Sequence, residues 1–337
     1  MYLKVIRLPL FVLNSVVNNT TVTKRMSTES SSLLAECKKL LPAMSETSHK
    51  GTSGRIGICG GSVEFTGAPY FSGISALRTG ADLVYVFSAS SAAPVIKSYS
   101  PELMVLPYLN ADDAVNLIFP WLKRLHAIVI GPGLGRNETV LNNIHELLKL
   151  LTVTPADNGI FRPLIIDADG LFFLSHNVGV FKNYPGDVYL TPNCVEFNNL
   201  VHAVFGHNYQ EPTESILSRL SGEIGKNVTI ILKGNIDIIS DRHKQLICSN
   251  KGSVRRCGGQ GDVLSGIVAT FAAWAGIRKW QVAPVIHKEY SDNMLAAYSA
   301  CYLTRECSRI AYEMHSRSML VTDMIKELPK VFSTYFG

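Results

Sequence analysis

The segment Ala127-Ile128-Val129-Ile130-Gly131-Pro132-Gly133-Leu134-Gly135-Arg136 runs a short apolar stretch straight into a glycine-rich turn. The apolar stretch is continuous rather than alternating, the pattern of a strand covered on both faces, as in a parallel sheet. Outward from it the same unit recurs. Candidate strands are Arg55–Cys59, Leu83–Phe87, Met104–Leu106, Ala127–Ile130, Leu164–Asp167, Val188–Leu190, Val228–Leu232, Ile236–Ser240 and Gln245–Cys248. Amphipathic segments near 69–79, 112–124, 138–151, 195–204 and 213–225 lie between them. This rhythm predicts an α/β fold, a doubly wound and mostly parallel central sheet with helices on both faces. The last three strands are close together, with Asp241-Arg242 as a turn, and read as a hairpin on the sheet edge. After residue 262 the chain reads as helical to about residue 330.

In an open α/β sheet, ligands bind beyond the carboxyl ends of the strands. Polar and glycine turns follow the strands here: Gly60-Gly61-Ser62, Gly131 to Arg136, Asp167-Ala168-Asp169-Gly170, Thr191 to Glu196, and Lys233-Gly234-Asn235. The Gly131 turn is not a dinucleotide fingerprint, because Arg136 occupies the place of its third glycine. A further turn, Val254-Arg255-Arg256-Cys257-Gly258-Gly259-Gln260-Gly261-Asp262, precedes a helical apolar run. A helix starting there aims unpaired N–H groups and a positive dipole end at the turn, which suits a phosphate or an oxyanion. Asp262 reads either as a helix N-cap or as a general base toward a hydroxyl attacking that phosphate.

Two more patterns carry paired readings. Asn193-x-x-Glu196 is a capping box, or an amide and a carboxylate able to hold hydrated Mg²⁺ through water. Lys233 ends a buried strand and needs an anionic partner, which could be a triphosphate or a structural carboxylate.

The 337 residues are 47 % apolar and 18 % charged, which suits a compact enzyme with a large core. The net charge of +5 includes Lys4, Arg7, Lys24 and Arg25, which precede the first acid, Glu29. Setting those four aside leaves +1, so nothing points to nucleic acid. No apolar run is long enough to span a bilayer. Seven cysteines without a Cys-x-x-Cys pair favour a reducing, cytoplasmic setting. Residues 1–28 form an N-terminal extension, basic and acid-poor. It reads equally as a mitochondrial presequence within residues 1–25 or as a stretch bypassed by a start at Met26. Residues 29–337 are expected to form one domain. The sequence leaves oligomeric state open, a homo-oligomer included.

With these blocks in view, the chain resembles the ATP-dependent NAD(P)H-hydrate dehydratases of the ribokinase-like superfamily over about residues 33–332. The resemblance rests on Lys50-Gly51-x-x-Gly54-Arg55-x-Gly57 with Gly60-Gly61-Ser62, on Thr66-Gly67-Ala68-Pro69, and on Arg78-Thr79-Gly80-Ala81. Ser100-Pro101-Glu102-Leu103-Met104, Gly131 to Gly135, Asp167 to Gly170, Thr191-Pro192-Asn193-x-x-Glu196-Phe197, Lys233-Gly234 and Gly258 to Asp262 complete it. It implies a lyase that repairs nicotinamide nucleotides. Phosphorylation by ATP would turn the ring hydroxyl of the S-epimer of hydrated NADH or NADPH into a leaving group, and elimination of phosphate would restore the coenzyme.

The same resemblance assigns roles. Asp262 would be the base, and Gly259, Gln260 and Gly261 the anion hole. ATP would lie against Lys233, Gly234, Asn235, Ile236 and Asp237. It would also touch the segment Gly252, Ser253, Val254, Arg255, Arg256, Cys257 and Gly258 to Gly261. The hydrate would meet Gly133, Asn193, Cys194, Val195, Glu196, Phe197, Asn198, Asn199 and Asp262. Mg²⁺ would bridge the ATP phosphates. Asn199 departs from an arginine common in relatives, and Gln260 from a small hydroxylated residue. The rival readings are a vitamin or sugar kinase that releases its phosphorylated product, and a nucleotide-binding protein without catalysis.

Overall fold

The computed structural model describes residues 31–44, 46, 49–207, 213–281 and 289–337. The extension expected over residues 1–28 and the second start at Met26 lie outside the described residues. A helical segment α1 (residues 31–38) precedes β1 (Arg55–Cys59), α2 (Gly67–Thr79), β2 (Leu83–Phe87), α3 (Ala93–Tyr99) and β3 (Leu103–Leu106). Then come α4 (Ala114–Leu122), β4 (Ala127–Ile130), α5 (Glu138–Val153), β5 (Leu164–Ile166), α6 (Asp169–His176), β6 (Val188–Leu190), α7 (Cys194–Phe205) and α8 (Thr213–Ile224). The chain closes with β7 (Val228–Leu232), β8 (Asp237–Ser240), β9 (Gln245–Cys248), α9 (Gln260–Gln281), α10 (Asp292–His315) and α11 (Val321–Phe336).

The strands form one sheet in the order β3-β2-β1-β4-β5-β6-β7-β8-β9. Pairing is parallel through β7 and antiparallel for β8 and β9, so the expected doubly wound sheet with an edge hairpin is present. The chain winds outward from β1 to β3, then returns to β4 beside β1. That reversal makes the β1/β4 pair the switch point of the sheet.

Alternate strand residues feed two cores. Ile56, Ile58, Val84, Val86, Val129, Ile165 and Tyr189 face one side, under α2, α9, α10 and α11. Tyr85, Phe87, Ile128, Ile130, Leu164, Ile166 and Leu190 face the other, under α4 to α8. Continuous apolar runs are what a two-sided sheet requires, because both period-two faces are buried. Among the described residues no helix is long and apolar enough to cross a membrane.

Sequence and structure differ locally. Asp167 and Ile236, expected in strands, fall just outside β5 and β8. Asp167 still donates its N–H to the Ile130 carbonyl at 3.1 Å, and its own carbonyl accepts the Gly170 N–H at 2.8 Å, which turns the chain there. Helices α3 and α6 were not anticipated; at seven and eight residues they are too short to display a helical apolar period.

The helix α9 crosses α2 at very short range. A Cβ at Gly266 would lie 2.0 Å from the Ser72 carbonyl oxygen, so only glycine allows this approach. Next to it the Ser72 and Ser265 hydroxyls hydrogen-bond at 2.9 Å, and Thr270 Oγ1 donates to the Ala76 carbonyl at 3.3 Å. Gly266→Ala is therefore expected to lower the unfolding free energy in urea by about 1–3 kcal/mol, the usual cost of forcing an extra group into a packed contact. An unchanged midpoint and slope would show that α9 can shift freely against α2.

Candidate active site

The turns after β1, β4, β5, β6 and β7 meet at one edge of the sheet. The Gly61 N–H donates to the carbonyls of Pro132 and Gly133 at 3.1 and 3.0 Å, tying the β1 and β4 turns together over the switch point. Gly131 has φ +128°, and a Cβ there would sit 1.7 Å from the Asp167 carbonyl oxygen. Its glycine therefore serves the junction of β4 with β5 rather than an open phosphate cradle. The Gly135 N–H donates to Asp169 Oδ2 at 3.0 Å, so a carboxylate at the start of α6 anchors the far end of that turn.

A charged cluster sits at the centre of this edge. Lys233 Nζ donates to Asp167 Oδ1 at 3.1 Å and stands 3.9 Å from Glu196 Oε2. Thr191 Oγ1 donates to the same Asp167 oxygen at 2.7 Å. A Cβ at Gly261 would lie 3.4 Å from Lys233 Nζ and 3.8 Å from Asp167 Oδ2, which brings the glycine turn onto the ion pair. Burial pulls the Lys233 ammonium down, but Asp167, Glu196 and Asp262 outweigh it and leave it above its ordinary value. Lys233 thus stays a cation with a structural carboxylate as its partner.

Asp262 lies in the first turn of α9, ahead of the first intrahelical bond, which Val263 N–H donates to the Gly259 carbonyl at 3.0 Å. The amides of Gln260, Gly261 and Asp262 therefore belong to the helix end that lacks intrahelical acceptors. Burial, and then the Asp167 carboxylate, push the Asp262 carboxyl well above the ordinary aspartate range, against the pull of Lys233. Burial raises Glu196 as well, and Lys233 and the Asn193 N–H do not cancel the effect. A carboxyl with its proton affinity raised, beside a cation and a helix N-terminus, is suited to accept a proton while an anion is held close by.

The two segments expected to hold ATP lie side by side, and a residue the sequence did not single out holds them so. Arg305, buried on α10, donates through Nε to Asp237 Oδ2 at 2.7 Å. Its Nη1 donates to the Asn235 carbonyl at 2.8 Å, and its Nη2 to the Gly234 carbonyl at 3.1 Å. One turn further on, Ser308 Oγ accepts the Ser253 N–H at 3.1 Å. Arg256 Nη2 reaches across to the Gly234 carbonyl at 3.3 Å. Ile236 and Val254 are exposed, as apolar groups on a nucleotide-binding rim would be. Among the described residues nothing accepts from the buried Nε of Arg255, and the buried Ser62 hydroxyl beside Gly135 has no partner either.

The Asn193–Glu196 pattern is a complete capping box. Asn193 Oδ1 accepts from the N–H groups of Val195 and Glu196 at 2.9 and 3.0 Å, and Glu196 Oε2 accepts from the Asn193 N–H at 2.7 Å. Both oxygens are thus already engaged, and among the described residues no three His, Cys, Asp or Glu side chains group as a metal site. Of the other residues expected at the hydrate, Cys194, Val195, Asn198 and Asn199 are exposed, and Phe197 is buried in the core. Gly133 packs against the Phe65 backbone. Glu196 and Asn199 line a cavity of about 170 Å³ with Arg136, Asp169 and Phe172. The Arg136 guanidinium lies over the Phe172 ring at 3.9 Å from its centre.

A mostly parallel sheet with a carboxylate and a glycine turn at a helix start, beyond its carboxyl edge, defines a ribokinase-like fold. A solved ribokinase-like superfamily protein from Enterococcus faecalis shares it, with a TM-score of 0.69 and 23 % identity over 90 % of this chain and 94 % of its own. An ADP/ATP-dependent NAD(P)H-hydrate dehydratase from Bacillus subtilis, co-crystallised with ATP and Mg²⁺, shares it with a TM-score of 0.65 and 23 % identity over 90 % and 97 %. The model of the NAD(P)H-hydrate dehydratase family matches residues 56–330. An ATP-dependent (S)-NAD(P)H-hydrate dehydratase of Aedes aegypti is 45 % identical over 92 % of this chain and 87 % of its own length. The chain belongs to the NAD(P)H-hydrate dehydratase family.

The raised Asp262 carboxyl has a stability consequence. A carboxyl whose folded value lies above its unfolded value, about 3.9, favours the folded state at low pH and works against it as pH rises toward the folded value. Asp262→Asn removes that penalty. The variant is expected to melt above the wild type at pH 8, with the gap closing as pH falls toward about 4. A variant that melts lower across this range would mark Asp262 as a stabilising cap.

Proposed function

We propose that this chain regenerates NADH or NADPH from their hydrated S-epimers by ATP-dependent dehydration, with Asp262 as the base. The observation that carries the assignment of roles is Asp262 itself. A half-buried carboxyl whose proton affinity is raised stands at the N-terminus of α9, within the field of Lys233 and beside the glycine turn.

In this reading Asp262 takes the proton of the ring hydroxyl as that oxygen attacks the γ-phosphorus of ATP and ADP leaves. The amides of Gly259, just before α9, and of Gln260 and Gly261 in its first turn stabilise charge on the transferred phosphoryl group. The ring nitrogen's electron pair then expels phosphate, and loss of a ring proton restores the dihydropyridine. The two ATP segments, residues 233–237 and 252–261, hold the nucleotide, with the partnerless Arg255 Nε as a ready donor. The hydrate lies toward Gly133 and residues 193–199, next to the cavity lined by Arg136 and Asn199. Mg²⁺ on the ATP phosphates would neutralise charge there, and Glu196 and Asn193 would hold it through water. Lys233, paired with Asp167, is the cation of this cluster that stands nearest to the phosphate. A kinase that releases its phosphorylated product is the alternative, and free phosphate with recovered reduced-nicotinamide absorbance separates the two.

Asp262→Asn should remain folded and bind ATP while turnover falls by roughly 10²–10⁴-fold. Turnover above about a tenth of wild type would remove Asp262 from the base role, since losing a general base costs far more than that. Arg305→Lys keeps the charge but loses the planar fork that grips Asp237 and the carbonyls of Gly234, Asn235 and Asn250. It should raise the KM for ATP by about tenfold, the equivalent of one lost charge-assisted hydrogen bond, while the KM for hydrated NADPH changes little. An equal rise in both constants would mean that Arg305 supports the whole fold and not the nucleotide segments.

A further inference from the structure

The Lys50-Gly51-x-x-Gly54-Arg55 block plays no part in the site above. Arg55 opens β1, so the block lies at the amino edge of the sheet, while the proposed catalytic groups lie beyond the carboxyl edge. A five-residue strand separates the two by roughly 15 Å.

This amino edge gathers cations. Two open crevices of about 290 and 390 Å³ share Arg55, His126 and Asn158. Lys50 and His49 line the first, and Lys123 and Arg124 the second. Asp157 is the acid among these lining residues. The nearby Asp82 is turned away to the N–H groups of Gly51 and Ser53, at 2.8 Å each.

Beneath the crevices lies Arg162, only 1 % exposed. Its Nη1 donates to the Thr154 carbonyl at 2.9 Å. Among the described residues nothing accepts from its Nε or Nη2. The side chain lines a small void of about 10 Å³ that shares His126 and Asn158 with both crevices. A buried guanidinium with two unused donors is costly unless an acceptor reaches it. His126 adds a donor. Its Nδ1 accepts the Arg55 N–H at 3.1 Å, which leaves the proton of the neutral ring on Nε2. Burial, and then the Arg55 guanidinium, hold that imidazole neutral by pushing it down to about 4.

We propose that this amino-edge pocket, built from Arg162, His126, Arg55 and the flanking Lys50 and Arg124, binds a phosphate group, either as free orthophosphate or on a nucleoside monophosphate. Planar guanidinium donors matched to phosphate oxygens, with one buried, give the strongest of the neutral-pH anion contacts. The site is separate from the ATP segments and does not depend on their assignment.

The test uses full-length protein labelled with ¹³C-histidine, with orthophosphate and AMP titrated in separate arms and the His126 ring signals followed by NMR. A saturable shift of those signals below about 20 mM is expected, the range of a weak but specific site. A response to both probes assigns the site to phosphate itself, and a response to AMP alone assigns it to a nucleotide. Arg55→Gln should weaken binding about tenfold, the loss of one charge-assisted contact, with dehydratase turnover unchanged. Arg162→Met should weaken it at least as much; if that variant does not fold, Arg55→Gln alone decides. No saturable His126 shift with either probe, or a shift of undiminished affinity in the Arg55→Gln protein, overturns the proposal.

Discussion

The close crossing of α9 over α2 is the constraint on which the rest of this structure depends. Gly266 and the Ser72–Ser265 pair let the two helix backbones approach until only a glycine fits between them. One core packs around this contact, with α10 and α11 closing over it. The crossing fixes the height and angle of α9, and so where its N-terminal turn comes to rest. Asp262 reaches the carboxyl edge of the sheet because residues one turn further along the same helix cannot slide. Packing and chemistry are therefore set by adjacent residues of one element.

At that edge the electrostatic balance is built around one lysine. Lys233 is held by Asp167 and faces Glu196 and Asp262, so a single cation serves several carboxyl groups. Burial raises the carboxyls of Asp262 and Glu196 by more than the pull of this one cation lowers them. Such a site is poorly stabilised when ionised and empty. It becomes suited to a reaction in which a proton must be accepted beside a phosphoryl group. The amino-terminal amides of α9 add positive potential without a further side chain. Arg305 acts from outside this cluster: it fixes the 233–237 turn through backbone carbonyls and one carboxylate, and Ser308 fixes the neighbouring loop.

The amino edge shows the opposite imbalance. There two donors of a buried arginine have no acceptor among the described residues, and a histidine is held neutral by burial beside a guanidinium group. One sheet thus carries a carboxyl-rich edge with too few cations and an amino edge with too few anions. Both follow from the same two-sided packing, which leaves polar side chains no place except the ends of the strands.

The sequence by itself determined the strands, the edge hairpin, the long helices and the turns that carry polar groups. These are local patterns: continuous β-branched runs, 3.6-residue periods, and glycines beside strand ends. The Asn193-x-x-Glu196 box was legible for the same reason, since its bonds close within three residues. The short α3 and α6 were not, because seven or eight residues do not show a period. The role of Gly131 was hidden as well: a glycine-rich turn looks alike whether it faces a ligand or, as here, the Asp167 backbone. Only the tertiary structure decided that Lys233 pairs with Asp167, sixty-six residues away, and that Arg305 grips a turn some seventy residues earlier. Such partners share no local pattern. Their energy depends on burial and on distance in space, and a chain acquires both only when its elements pack.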